Sequence, residues 1–196
     1  DVWFVVGLPV FFVSVLGWDF WLAGGFMAVW TIGYGAVQAA TPGLIRRRVE
    51  GAHEPDGRTA AGLAFGLAAF PVGIALALMN GIAPVLAVVA GLLAFGVVFA
   101  LNSAVHSYLI LAYTDSDKVA MNVGFYYMAN AVGRLAGTVL SGLLYQIGLQ
   151  AGPNGGLVAC LWASAAFVLV AGSLSLLLPA DVGVRTRPIV LKDLGE

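Results

Sequence analysis

The chain has 196 residues, of which 61% are hydrophobic and only 10% charged, and its mean hydropathy is +0.96. A soluble domain carries about a quarter charged residues, so this composition excludes an ordinary soluble fold and points to a membrane protein. The formal net charge of −1 names no partner, and the single Cys160 excludes a disulfide framework or a multi-cysteine metal site.

The opening "DVWFVVGLPVFF" has no Met and no basic n-region. A signal peptide is therefore not expected, and the chain is expected to begin inside a longer protein. A spanning helix needs about 20 largely apolar residues. Six segments are read on that basis: 2–17, 20–44, 60–80, 83–113, 119–148 and 156–179. They are separated by "GWD", "RRRVEGAHEPDGR", "NGIAP", "TDSDK" and "LQAGPNGG". The fourth and fifth segments exceed the bilayer thickness and must tilt or project. Alternating polar strands are absent, so a β-barrel is not supported. The expected organisation is an all-α integral membrane bundle over residues 1–180, followed by a cytoplasmic tail over 181–196.

Basic residues fix the expected orientation. Arg46, Arg47, Arg48 and Arg58 lie between the second and third segments, Lys118 lies between the fourth and fifth, and Arg185, Arg187 and Lys192 lie in the tail. With six spans all of these fall on one side, and the opposite loops carry no Lys or Arg. The positive-inside rule makes that side, with the C-terminus, cytoplasmic. Trp18 and Trp21 flank Asp19 like an interfacial belt at the outer end of the second segment.

Polar residues single out three segments. The second carries Thr31, Tyr34, Gln38 and Thr41, spaced 3, 4 and 3 on one helix face. The fourth carries Asn102 and His106, four apart. The fifth carries Tyr127, Asn130, Arg134, Thr138 and Ser141, again on one face. The third segment has no polar side chain and the sixth has only serines, so both are expected to be peripheral and lipid-facing. Gly62/Gly66 and Gly133/Gly137 have the spacing of close helix packing, and Pro9 and Pro71 are expected to kink their helices. Cys160 is read as a small apolar filler.

Arg134 lies about 24 Å along the fifth helix from Lys118, near mid-membrane. A charge there costs about 2.5–3.5 kcal/mol on insertion scales, so it needs a purpose. No Asp or Glu lies inside any of the six segments. Two readings are open: an ion pair with an acid outside this sequence, or binding of an anionic substrate. The planar guanidinium suits the second, because its fork donates two parallel hydrogen bonds to an oxyanion. Candidate substrate contacts are Arg134, Asn130, Tyr127, His106, Asn102, Gln38 and Tyr34. For His106 a structural role, an anion contact and a proton relay all stay open.

Six helices with both ends cytoplasmic, two peripheral spans and a basic loop after the second span resemble the C-terminal half of a major facilitator transporter, a fold built from inverted repeats. The strings "YGAVQAATP" (34–42) and "HSYLILAYTDSDKVAMNVGFYYMANAVGRLAGTVLSGLLYQ" (106–146) resemble the ArsJ-type organoarsenical efflux permeases. The resemblance covers the whole chain but only the second half of such a permease. It implies export of arseno-phosphoglycerate, an anionic pentavalent arsenic ester, and hence a functional link to the glyceraldehyde-phosphate dehydrogenase that makes it. It also implies a bacterial inner membrane and a partner bundle, either an N-terminal six-helix half or a second copy. The first segment departs from the family by offering only Ser14 as a polar group.

No enzymatic activity, cofactor, metal or nucleic-acid partner is expected. A serine hydrolase would need a base beside Ser141, and His106 lies well to the cytoplasmic side of it with no nucleophile elbow around the serine. The alternatives are a major facilitator exporter of another small anionic metabolite or drug, or a scaffold or channel half. Trivalent arsenic would call for clustered thiolates, which one cysteine does not supply.

Overall fold

A chain surrounded by hydrocarbon must bond its backbone polar groups internally, and helices do so within one segment. The computed structural model describes residues 2–48, 55–114 and 118–178, and every regular element among them is helical. These elements are α1 (Gly7–Ser14), α2 (Phe20–Arg48), α3 (Gly57–Met79), α4 (Pro84–Ala112), α5 (Val119–Gly148) and α6 (Gly155–Ser175), with a short 3₁₀ turn, Leu149–Ala151, between the last two. The expected tail over 181–196 and the "TDSDK" acids Asp115 and Asp117 lie outside the described residues.

Among the described residues four helices are long and apolar enough to cross a membrane: Phe20–Thr41, Gly57–Met79, Pro84–Ala112 and Gly155–Ser175. The chain is thus an all-α protein with the composition of a membrane protein. The expectation of six such segments needs correction at two places. α1 has eight residues, not the sixteen expected over 2–17. Pro9 has no N–H, Gly7 N donates to Ser141 Oγ (2.9 Å), and residues 2–6 form turns closed by Leu8 N to Trp3 O (2.8 Å). At the other end Trp18 N reaches back to Phe12 O (3.0 Å) across Gly17, which takes φ +67°. α5 has length to spare at 30 residues, but Asn122, Asn130, Arg134 and Gln146 dilute its apolar content.

Two acids start helices. Asp19 Oδ1 accepts from Leu22 N (2.8 Å) before α2. Asp56 forms a capping box with Thr59, accepting from Thr59 N (2.8 Å), while the Asp56 N–H faces Thr59 Oγ1 at 3.5 Å. These hydrogen bonds from Thr59 hold the Asp56 carboxyl below its ordinary range.

The centre of the bundle is the antiparallel pair α3 and α6, the most extensive helix contact. α3 buries Ala60, Ala61, Ala64, Leu67, Ala68, Pro71, Ile74, Ala75 and Leu78. α6 answers with Gly156, Leu157, Cys160, Leu161, Ser164, Ala165, Gly172 and Ser175. The reading of these two as peripheral therefore holds only for their outer faces, where Phe65, Leu76, Phe167 and Leu174 are exposed. Small residues dominate because apolar surface gains nothing by leaving lipid for another helix, so close approach must supply the attraction. Pro71 is buried within α3 without interrupting it. α4 packs on α3, α2 on α4, and α5 on α6, while α1 touches α2, α5 and α6.

Three of the four glycines singled out by spacing are not tight points. A Cβ at Gly62, Gly66 or Gly133 would meet nothing within 4 Å. A Cβ at Gly57 would lie 2.6 Å from the carbonyl oxygen of Ser175, one at Gly172 would lie 3.2 Å from Ala64 Cβ, and Gly148 and Gly155 face each other backbone to backbone. Gly155→Val is therefore expected to lower the thermal midpoint of the chain in micelles, at a cost of about 1–3 kcal/mol or more. Gly62→Ala should leave it unchanged or raise it, since a helical alanine is worth about 1 kcal/mol over glycine. Equal losses in both variants would refute this assignment of the contacts.

Candidate functional site

The residues named from the sequence fall into two groups. The first lies where α2 packs on α4. Trp30 comes close enough to α4 to donate from Nε1 to Leu92 O (2.9 Å), over Gly96, where a Cβ would lie 3.1 Å from the indole. From there a ladder of rings runs down the interface. Trp30 stacks on Tyr34 (5.7 Å), Tyr34 on Phe99 (5.1 Å) and Phe99 on Phe95 (5.3 Å). Tyr34 ends with its hydroxyl donating to Ser103 Oγ (3.0 Å). Tyr34 is thus a half-buried tie between two helices, and its hydroxyl is already engaged. Gln38, one turn further on, is half-buried. Thr31 and Thr41 donate to their own helix, at Met27 O and Val37 O, both 2.8 Å.

Asn102 and His106 stand one turn apart on α4, both half-buried. His106 Nδ1 lies 2.9 Å from Asn102 O. Asn102 Oδ1 is buried and has no hydrogen-bond partner among the described residues.

The second group is on α5. Tyr127, Asn130 and Arg134 are all exposed, on one face midway along the helix. Exposed Met128, Val132, Leu135 and Val139 surround them. Further along the same face the surroundings change. Gly137, Ser141, Tyr145 and Gly148 are buried. Ser141 Oγ accepts from Gly7 N, Cys160 Sγ donates to Ser141 O (3.4 Å), and Tyr145 Oη lies 3.3 Å from Ser14 Oγ. Ser141 therefore belongs to the packing of α5 on α1 and α6 and has no place on a polar lining. Thr138 Oγ1 donates to Arg134 O (2.9 Å) within the helix. α2 and α5 do not pack on each other among the described residues, so the chain does not bring Tyr34 and Gln38 into contact with Arg134. Asn122 Nδ2 reaches Thr114 Oγ1 (3.4 Å) beside the α4–α5 connection.

Sequence reasoning missed Ser103, Trp30 and the acceptor role of Ser141. Only the serines of the sixth segment were weighed as bonding their own helix, as Ser107 of α4 does to Ser103 O (3.0 Å), and Ser103 was not weighed at all. Nothing in the spacing of Ser103 distinguishes it from that default, and the spacing of Ser141 put it on the polar stripe rather than in a helix contact. Among the described residues no three His, Cys, Asp or Glu side chains converge as metal ligands. No protein-family model, curated protein or solved structure matches the chain.

The ring ladder makes a testable claim about Tyr34. Tyr34→Phe and Ser103→Ala should each destabilise the chain, and the double variant should cost no more than the larger single one. The expected coupling is about 0.5–1.5 kcal/mol in a thermal or denaturant cycle. Additive losses would mean that the Tyr34 hydroxyl serves something other than Ser103.

Proposed function

We propose that this chain is one half of a major facilitator exporter, with a cytoplasmic C-terminus, that carries a small anionic organoarsenical out across a bacterial inner membrane. The observation that carries the reading is the exposed stripe Tyr127–Asn130–Arg134 midway along α5. A guanidinium at that depth, flanked by a phenol and an amide, offers hydrogen-bond donors suited to phosphate, carboxylate or arsenate oxygens. The lining continues on α4 through Asn102 and His106 and on α2 through Gln38. In this reading Tyr34 supports the lining through Ser103. A second bundle, either an N-terminal half or a second copy, covers the stripe and closes the pathway. The arsenical itself, arseno-phosphoglycerate supplied by a glyceraldehyde-phosphate dehydrogenase, rests on the strings at 34–42 and 106–146. The protein acts as a carrier, without enzymatic chemistry.

Orientation is tested by labelling single cysteines introduced at Gly51 and Asn154 in intact cells with a membrane-impermeant reagent. Asn154 should label and Gly51 should not; the opposite pattern would overturn the topology.

The site is tested at Arg134 in the complete transporter. Arg134→Lys keeps the charge and loses the planar fork, so efflux from everted vesicles should fall about tenfold, while Arg134→Gln should nearly abolish it. Both variants should reach normal levels in the membrane. A structural ion pair predicts the reverse: a glutamine variant that is poorly folded and is rescued by neutralising one carboxylate in the other half. Normal efflux by a well-expressed Arg134→Gln protein would defeat the proposal.

A further inference from the structure

The sequence places two tryptophans around Asp19, and the fold sends them to different surroundings. Trp18 packs against the core, stacked on Phe12 (4.5 Å) and edge-on to Phe26 (5.5 Å). Trp21 turns outward together with Phe20. The two are 83% and 77% exposed and meet edge to face at 5.7 Å. The local backbone fixes this pair. Asp19 caps α2 by accepting at Oδ1 from Leu22 N (2.8 Å), and its carbonyl oxygen accepts from Ala23 N (3.0 Å). Phe20 and Trp21 therefore stand on the first turn of the helix.

What stands beside them at that end of the bundle has the same character. α2 and α4 run parallel, since Trp30 meets Leu92 and Tyr34 meets Ser103. Phe20 lies about 15 Å along the axis before Trp30, and Val85 about 10 Å before Leu92, so the two starts are level to within about one turn. The α3–α4 connection adds exposed Ile82, Val85 and Leu86 there. α6 starts at the same end, where Asn154 Nδ2 donates to Leu78 O (3.5 Å). Across 17–22, 79–86 and 146–156 the sole ionisable side chain among the described residues is Asp19. The opposite end carries Asp56, Arg58 and Lys118.

An apolar, ring-bearing rim at the end of helices fit to cross a membrane suits one medium, the layer where acyl chains give way to headgroups. There an indole buries its ring while its N–H donates to an ester carbonyl or to water. We propose that Phe20 and Trp21, with Ile82, Val85 and Leu86, form an anchor that seats in the glycerol-ester layer of one leaflet and sets the depth of α2. This helix needs one. It is the least buried of the four apolar helices long enough to cross, and Val29 and Ile32 are exposed on its outer side. Packing and interfacial aromatics together set the tilt and depth of such a helix. An anchor that stops α2 from sliding keeps Trp30 and Tyr34 in register with Leu92 and Ser103 on α4. No cation stands on this rim among the described residues, so the anchor does not select anionic lipids. It also does not depend on what the chain carries.

The full chain with Cys160→Ala is placed in phosphatidylcholine nanodiscs, carrying a single nitroxide at Leu22→Cys or Val29→Cys. Collisions with oxygen, which concentrates in hydrocarbon, and with a water-soluble nickel chelate give the depth of each label. The label at 22 should lie in the ester layer, and the one at 29 about 10 Å deeper. Phe20→Ser and Trp21→Ser together should raise nickel collisions at 22 severalfold and leave the thermal midpoint unchanged, because both side chains are exposed. Trp21→Tyr keeps an amphipathic ring and should keep the wild-type depth. Exchange of part of the lipid for phosphatidylglycerol should change nothing. Three results would overturn the anchor. A label at 22 shielded from both reagents would mean that protein, a second copy or another bundle, covers the rim. A label at 22 fully open to nickel without the serine substitutions would place the rim in water. An unchanged depth in the serine pair would mean that packing alone positions α2. Fluorescence decides the matter even where the serine pair fails to fold. The emission lost in Trp21→Phe should be quenched more by lipids brominated high on the acyl chain than by lipids brominated near its end, and the reverse order would also refute the anchor.

Discussion

Helices in hydrocarbon cannot rely on the hydrophobic effect to find each other, and the whole bundle depends on how this chain meets that constraint. The answer is close approach at small residues. α3 and α6 meet along alanine, glycine and serine. Gly57 sits against the Ser175 carbonyl at one end, and the Asn154 amide reaches Leu78 O (3.5 Å) near the other. The remaining helices attach to this pair by the same means. Gly96 admits the Trp30 indole, so that α2 joins α4. Gly148 and Gly155 let the chain reverse from α5 into α6 with their backbones in contact. Each attachment combines lost side-chain bulk with one directed polar contact, which is how packing becomes specific where burial alone discriminates little.

α5 shows what this arrangement leaves open. Ser141 is seven residues beyond Arg134, two helical turns, and so shares its face about 10 Å further along. At Ser141 that face is sealed by Gly7 of α1; at Arg134 it is exposed. The difference follows from the course of residues 2–6. They turn toward α2 and α4, with Trp3 against Phe95 (5.2 Å) and Phe4 against Trp30 (4.6 Å). The first segment therefore adds Trp3 and Phe4 to the aromatic cluster between α2 and α4. The polar length of α5 is left as a surface.

Helix identity was legible in the sequence because polar or Gly/Pro-rich breaks bound each apolar run. The range 119–148 matches α5 residue for residue, and the bounds of α3 and α4 lie within three residues of the expected ones. The first segment was misread because composition cannot see that Gly7 spends its N–H on a side chain 134 residues away. The lipid-facing reading of α3 and α6 applies to their outer faces and missed their mutual contact for a related reason. Absence of polar side chains was taken to mean lipid, whereas alanine and glycine serve equally well as the packing surface of another helix. Period alone placed Ser141 with Arg134, and period is indifferent to whether a neighbour arrives partway along. The two candidate groups, Asn102 with His106 and Tyr127 with Arg134, were visible as spacings. Their different burial was not, since it is set by which helices pack where.

The helix richest in polar groups is also the one whose hydropathy falls short of an ordinary span, and the two facts have one cause. An arginine at the centre costs about 2.5–3.5 kcal/mol on insertion scales. Each central Leu, Ile, Phe or Val returns about 0.3–0.6 kcal/mol. α5 carries ten of these residues, including Leu135, Val139, Leu143 and Ile147, so they return roughly 3–6 kcal/mol in all. The arginine alone consumes most of that margin, and Asn122 and Asn130 take more. In the proposed transporter, insertion of α5 then depends on its neighbours: α6 supplies Cys160 and the Gly155 backbone at one end, and Thr114, just after α4, ties to it at the other. A helix held at its two ends can keep polar residues in its middle that it could not carry alone. That is the physical condition a polar pathway through a membrane has to satisfy, and among the described helices α5 meets it most fully.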